Sequence, residues 1–260
     1  MALWGWVAGA YGAFLALTAI APTSVSRRAV LFTACLAYSG AAIAAASLPH
    51  FWIQLLVPAA LLLTGYWLSG LFFTTPQPWL ERWLAAIDRA SFERFNVNRL
   101  LDAAPLWFLE LLEAAYVADY AVVAAGAIIG AAAGGEHISR YWSIVLAAEL
   151  ACYAALPYLR SRPPRVIEPA GVIEMRRPRL RRLNTAILDR ASVHANTVPS
   201  GHVAGAVAAA LATFSVSVLA GVVLMVCAVL ITVSAIVGRY HYTVDCALGA
   251  AVGAIAAWLV

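Results

Sequence analysis

Apolar stretches about as long as a bilayer core is thick follow one another along almost the whole chain, and no other feature restricts the fold as strongly. A helix needs about 20 predominantly apolar residues to cross roughly 30 Å of hydrocarbon, and lipid-buried backbone must satisfy its own hydrogen bonds. Eight such stretches cover residues 3–21, 29–48, 51–73, 105–133, 141–159, 203–219, 220–238 and 244–260. The composition agrees, since 63% of the 260 residues are hydrophobic and only 12% are charged, outside the soluble range. The expected fold is an all-α polytopic transmembrane bundle of about eight spans. Six crossings with two re-entrant or interfacial segments is the alternative.

The first stretch ends in Ala19-Ile20-Ala21, a plausible cleavage site, but it lacks a basic start and Pro22 follows. It reads as a retained anchor rather than a signal peptide. Cys35, Cys152, Cys227 and Cys246 fall within or beside apolar stretches at no metal-ligand spacing, as small buried hydrophobes do. All 17 basic residues are arginine. With eight spans, one face receives segments 22–28, 74–104, 160–202 and 239–243 and every arginine except Arg140. Such a bias marks the cytoplasmic face.

Two polar insertions interrupt the apolar pattern. In the first, at 74–104, Trp79, Leu80, Trp83, Leu84 and Ile87 recur at helical spacing, as in an interfacial helix or an amphipathic connector. The second, at 160–202, opens with Arg160-Ser161-Arg162-Pro163-Pro164-Arg165 and carries a basic run from Arg176 to Arg182.

Reactive residue types gather near the C-terminus. Pro199-Ser200-Gly201-His202 precedes an apolar helical pattern. The free N–H groups and positive dipole end of a helix start favour an anion. Ser200 adds a hydroxyl, Gly201 lets backbone come close, and His202 has the side chain suited to protonating a leaving oxygen. In Gly238-Arg239-Tyr240-His241-Tyr242-Thr243-Val244-Asp245, His241 and Asp245 are four apart. On a helix they share a face, so the carboxylate can hold one ring nitrogen while the other attacks phosphorus. Arg239 offers a planar fork to phosphate oxygens. Glu110, Glu113, Asp119 and Glu149 lie inside apolar stretches, as groups that line a substrate groove or balance Arg162 and Arg239, or as buried helix contacts. His194 reads as a loop residue, and His50 and His137 as interfacial.

Pro-Ser-Gly-His followed by His-x3-Asp resembles the type-2 phosphatidic acid phosphatase superfamily, over about residues 105–260 and most specifically at 199–202 and 238–249. Arg162-Pro163 matches the end of that family's first motif, although Ala155 stands where the family has lysine; Arg160 or Arg165 is the candidate substitute. Arg239 precedes His241 by two residues rather than six, and Arg-Tyr-His-Tyr-Thr-Val-Asp is similar to the inositol phosphorylceramide and sphingomyelin synthase branch.

The resemblance implies that His241 is the nucleophile, Asp245 its orienting base, and His202 the acid and then the base. Arg162, Ser200, Gly201 and Arg239 would hold phosphate oxygens, with no metal and no cofactor. The expected organisation is N-terminal helices with an amphipathic segment over 1–104 and a phosphatase-like core over 105–260. The expected activity is cleavage of a lipid phosphate or phospholipid at the bilayer. Water as acceptor gives a phosphatase, and a lipid or polyol alcohol gives a headgroup transferase. A non-enzymatic lipid carrier is the alternative of another class. The expected location is a bacterial inner membrane, crossed several times, and no nucleic-acid partner is expected.

Overall fold

A computed structural model describes residues 1–20, 25–168, 176 and 178–260. Among them the chain is helical, with a single isolated β-bridge between Ser161 and Asn196. The helices are α1 (Leu3–Thr18), α2 (Val25–Ala46), α3 (Phe51–Gly70), α4 (Pro78–Arg94), α5 (Val97–Ala103) and α6 (Leu106–Ala133). They continue as α7 (Gly135–Ala155), α8 (Pro164–Ile167), α9 (Arg179–Ala191), α10 (Gly201–Phe214), α11 (Val218–Val237) and α12 (Thr243–Leu259).

Every apolar stretch forms a helix. Four of these helices, α2, α3, α6 and α11, are long and apolar enough to cross a membrane, and α1, α10 and α12 are shorter apolar helices. The chain is therefore an all-helical protein compatible with a membrane. The stretch at 203–219 is cut short because α10 ends at Phe214 and Ser217 caps α11, its Oγ accepting the Ala220 N–H at 3.3 Å. A serine one residue before an apolar run restarts a helix by satisfying a free N–H at its N-terminus.

The core is built around α7, which packs against α1, α3, α6, α10 and α12. Six successive residues, Tyr141 to Leu146, are buried, as befits a helix enclosed on all sides. One continuous apolar core runs from Trp4 and Tyr11 through Ile144 and Leu150 to Ala208 and Ala256. The helices of residues 1–104 and those of 105–260 thus share a single interior.

Connections gather at one end. Thr18 Oγ1 meets the Tyr158 hydroxyl at 3.0 Å, Arg27 donates to the Leu71 carbonyl at 3.0 Å, and the Gln77 N–H donates to Arg160 O at 2.8 Å. Segments 71–105, 156–168, 178–200 and 238–242 therefore lie together at the end where most of the arginines lie. The two insertions are part of the fold there. Leu80 and Leu84 of α4 are buried against Val198 and Tyr242, while Trp79 and Trp83 of the same helix are exposed. The apolar positions of α4 are thus split between two directions, and one of them seals the segment carrying the histidines.

Candidate active site

The two C-terminal motifs meet at this end. Ser200 caps α10, its Oγ accepting from the Val203 N–H at 3.5 Å, and its own N–H donates to the Asp245 carbonyl at 3.0 Å. The Gly201 N–H donates to Thr197 Oγ1 at 3.3 Å. Gly201 also lies against the Tyr153 ring. Ser200 and Gly201 therefore hold the helix start and the neighbouring helix together, and neither lines the cavity between the histidines.

α11 ends in a reversal that returns the chain over the bundle. Arg239 adopts a φ of 60°, the left-handed conformation that terminates helices, although glycine usually fills it. The Tyr240 and His241 N–H groups then both donate to the Ala235 carbonyl, at 2.9 and 3.0 Å. Gly238 is needed for another reason: a Cβ there would lie 2.5 Å from the Tyr240 ring and 2.7 Å from Ser234 O. His241 consequently sits before α12 rather than on it, with Asp245 in the first turn.

Asp245 has no solvent exposure. Its Oδ2 accepts from Asn196 Nδ2 at 2.7 Å and from the Tyr242 N–H at 3.1 Å, and lies 3.7 Å from His241 Nδ1. That last separation is ion-pair range and too long for a hydrogen bond. His241 Nδ1 and Asp245 Oδ1 have no hydrogen-bond partner. Closing that gap orients the imidazole and leaves Nε2 as the free nitrogen.

His202 faces His241 with ring centroids 5.7 Å apart. Its ring stacks on Tyr116 at 5.2 Å and meets Tyr120 edge-on at 6.1 Å. Tyr116 in turn stacks on Tyr240 at 3.7 Å, 11° from parallel. Between the histidines lies a small cavity of about 30 Å³, walled also by Arg165, Thr197, Tyr116 and Tyr240. Beside it runs an apolar cavity of about 580 Å³, within the range of small-molecule sites. The two share His202, Tyr66, Tyr153, Leu188 and Ser192 as walls. A polar chamber and an apolar one therefore meet at His202.

The arginines are distributed differently from the expectation. Arg162 is held by Glu81 of α4, its Nε donating to Oε1 and an Nη to Oε2, each at 2.9 Å. Its side chain is 44% exposed and lines neither cavity. The guanidinium holds the Glu81 carboxyl below its usual range, and the carboxylate raises Arg162 in turn. Arg239 is claimed by Asp88 and Glu168 and lies over the Phe92 ring at 4.8 Å. Asp88 also accepts from the Thr243 N–H at 2.9 Å and from its hydroxyl at 2.7 Å, clamping the start of α12. Arg165 is the arginine between the histidines. Its guanidinium lies 5.6 Å from the Tyr240 ring centroid, its N–H donates to Arg239 O at 3.0 Å, and no carboxylate among the described residues pairs with it.

Sequence reasoning missed Asn196, which ties Asp245 to the Ser161 bridge through Ser161 Oγ at 3.2 Å. It also missed the buried cluster beneath Tyr240. There Arg181 meets Glu113 Oε1 at 3.2 Å, donates to Gly238 O at 2.7 Å and lies over the Tyr240 ring. Asn184 and the Tyr240 hydroxyl donate to Glu113 Oε2 at 2.6 and 2.5 Å. Glu113 therefore serves Arg181 of α9 rather than Arg162 or Arg239. Glu110 accepts the first N–H groups of α9, from Arg179 and Leu180. The only sequence signal for this cluster was two carboxylates in an apolar stretch. Among the described residues no group of three His, Cys, Asp or Glu side chains is placed to hold a metal ion. No protein-family model, curated protein or solved structure matches the chain.

Proposed function

We propose that the protein is an integral-membrane lipid phosphatase or phosphotransferase that works through a phosphohistidine. The observation that carries this reading is the pairing of His202 with His241 across a small polar cavity, backed by Asp245 and opening on an apolar chamber. His241 Nε2 attacks phosphorus as the ester P–O bond breaks, and His202 gives its proton to the leaving oxygen. His202 then takes a proton from water or an alcohol, whose oxygen attacks phosphorus and breaks the P–N bond. Arg165 is the fork best placed for the phosphoryl oxygens. Side chains alone supply every step. On this reading an amphiphile lying in the apolar chamber presents its polar end at His202, as substrate or as alcohol acceptor.

In this reading α1, α7, α10 and α12 complete eight crossings, and the arginine-rich end faces the cytoplasm of a bacterial inner membrane. A single cysteine placed in the 160–202 loop, with the native cysteines removed, should resist an impermeant reagent in intact cells. Rapid labelling would reverse the orientation.

The deciding assay offers purified protein a panel of lipid phosphates in detergent with a chelator, following free phosphate and new lipid species together. Phosphate release lost in His241→Ala supports hydrolysis; a new headgroup-bearing lipid formed only with an alcohol supports transfer. Activity that survives His241→Ala refutes the covalent mechanism. Silence across the panel, with lipid binding retained, favours a carrier.

A further inference from the structure

The apolar cavity contains two carboxylates that the proposed chemistry does not use. Asp119 of α6 and Glu149 of α7 are each 5% exposed and line the cavity together with Trp52, Leu62, Val123 and Trp142. Asp119 Oδ1 has no hydrogen-bond partner. Glu149 Oε2 takes the Tyr153 hydroxyl at 2.6 Å, and its Oε1 lies against Gly205, where a Cβ would sit 2.1 Å away. Ionisable side chains in such surroundings are costly and tend to be retained for a ligand.

Their depth is set by the two helices. Tyr116, which stacks on His202, precedes Asp119 by three residues, and His202 precedes Gly205 by three. Three residues advance a helix by about 4.5 Å, so both carboxylates lie roughly one turn beyond the His202 ring. An extended chain advances about 1.2 Å per bond, so that separation corresponds to roughly four bonds.

We propose that Asp119 and Glu149 form a subsite for a hydrogen-bond donor, a hydroxyl or an ammonium, carried by the lipid two to four atoms from its phosphate ester. This rests on the reading that a lipid phosphate is cleaved between His202 and His241. The donor fills the open valence of Asp119 and selects lipids whose polar group lies next to the phosphate over plain alkyl phosphates.

The test compares hexadecyl phosphate with derivatives bearing a hydroxyl or an amine on the second carbon, and with one hydroxylated on the tenth. A hydrogen bond from a charged ammonium predicts that the second-carbon amine raises kcat/KM at least about tenfold and the second-carbon hydroxyl by less, and the tenth-carbon hydroxyl does not. Asp119→Asn and Glu149→Gln should each narrow that ratio to within about threefold of one. A flat series in the wild-type protein overturns the proposal, as does a ratio unchanged in both variants. Should a variant fail to fold, the positional series in the wild type still decides. Calorimetric titration of His241→Ala with the amine derivative and with hexadecyl phosphate separates the two readings. Tighter binding of the amine without turnover of any lipid in wild type keeps the subsite and removes the enzyme; equal binding removes the subsite.

Discussion

Replacing Arg165 should damage activity far more than replacing Arg162, although Arg162 is the arginine that the motif singles out. Arg165 walls the cavity between the histidines and has no carboxylate partner among the described residues. A charge-assisted hydrogen bond contributes about 1.5–3 kcal/mol, and each 1.36 kcal/mol is tenfold in rate. Losing it in Arg165→Ala predicts a fall in kcat/KM of roughly 10- to 10²-fold. Arg165→Lys, which keeps the charge but not the fork, should recover only part of that loss. Arg162 is 44% exposed and already paired with Glu81, and exposed pairs contribute about 0–1 kcal/mol. Arg162→Ala should therefore change kcat/KM by less than about fivefold. Initial rates of phosphate release at subsaturating lipid, normalised to folded protein, measure both. An Arg162→Ala loss equal to or larger than that of Arg165→Ala would refute the assignment.

Three other outcomes follow from the same geometry. Asn196→Leu removes the amide that holds Asp245 Oδ2 at 2.7 Å; kcat should fall by roughly 10- to 50-fold with KM little changed, and an unchanged kcat contradicts the role. Arg181→Met strands the buried Glu113 carboxylate and should destabilise by about 3 kcal/mol or more, with the double variant Glu113→Gln/Arg181→Met recovering part of it in thermal unfolding in detergent. Because Arg162 lowers the folded Glu81 pKa, that contact is complete above the ordinary carboxylate value of about 4.3 and fades as pH falls through the folded value. The protection factor of the Arg162 amide, whose N–H donates to Glu81 Oε1, should fall on acidification in wild type once the intrinsic pH dependence of exchange is divided out, and the same acid response in Glu81→Gln would show that another group controls it.

The helices were legible because long apolar runs recur along the chain, although four of them form helices long and apolar enough to cross a membrane and others, such as α10, stop short. The histidines and Asp245 were legible because polar types are rare in such runs. Which arginine walls the cavity was only narrowed, since Arg165 stood as one of two substitutes beside the favoured Arg162 and Arg239. Glu81, Asp88 and Glu168 draw Arg162 and Arg239 away across separations of 71 to 151 residues, a matter of tertiary placement that motif spacing does not contain. The direction of α4 was likewise half-visible. Helical spacing grouped Trp79 and Trp83 with Leu80 and Leu84, yet only the leucines turn inward. Helical geometry also misplaced His241, since nothing in Gly238-Arg239 announces that the arginine takes the left-handed conformation.

That reversal explains how two motifs on helices of unequal length meet. α10 has 14 residues and α11 has 20, joined by a three-residue turn. At 1.5 Å per residue the difference leaves the end of α11 about 9 Å beyond the start of α10. A chain that simply continued from Val237 would carry His241 further from His202. The left-handed Arg239, the paired N–H bonds to Ala235 and the Arg181 contact to Gly238 O turn it back instead. His241 thereby descends to the level of His202, and the cavity between the two histidines lies recessed below the rim rather than on it. On the proposed reading, an ester that reaches this cavity lies at the depth where the apolar cavity begins, so that its tail accompanies it.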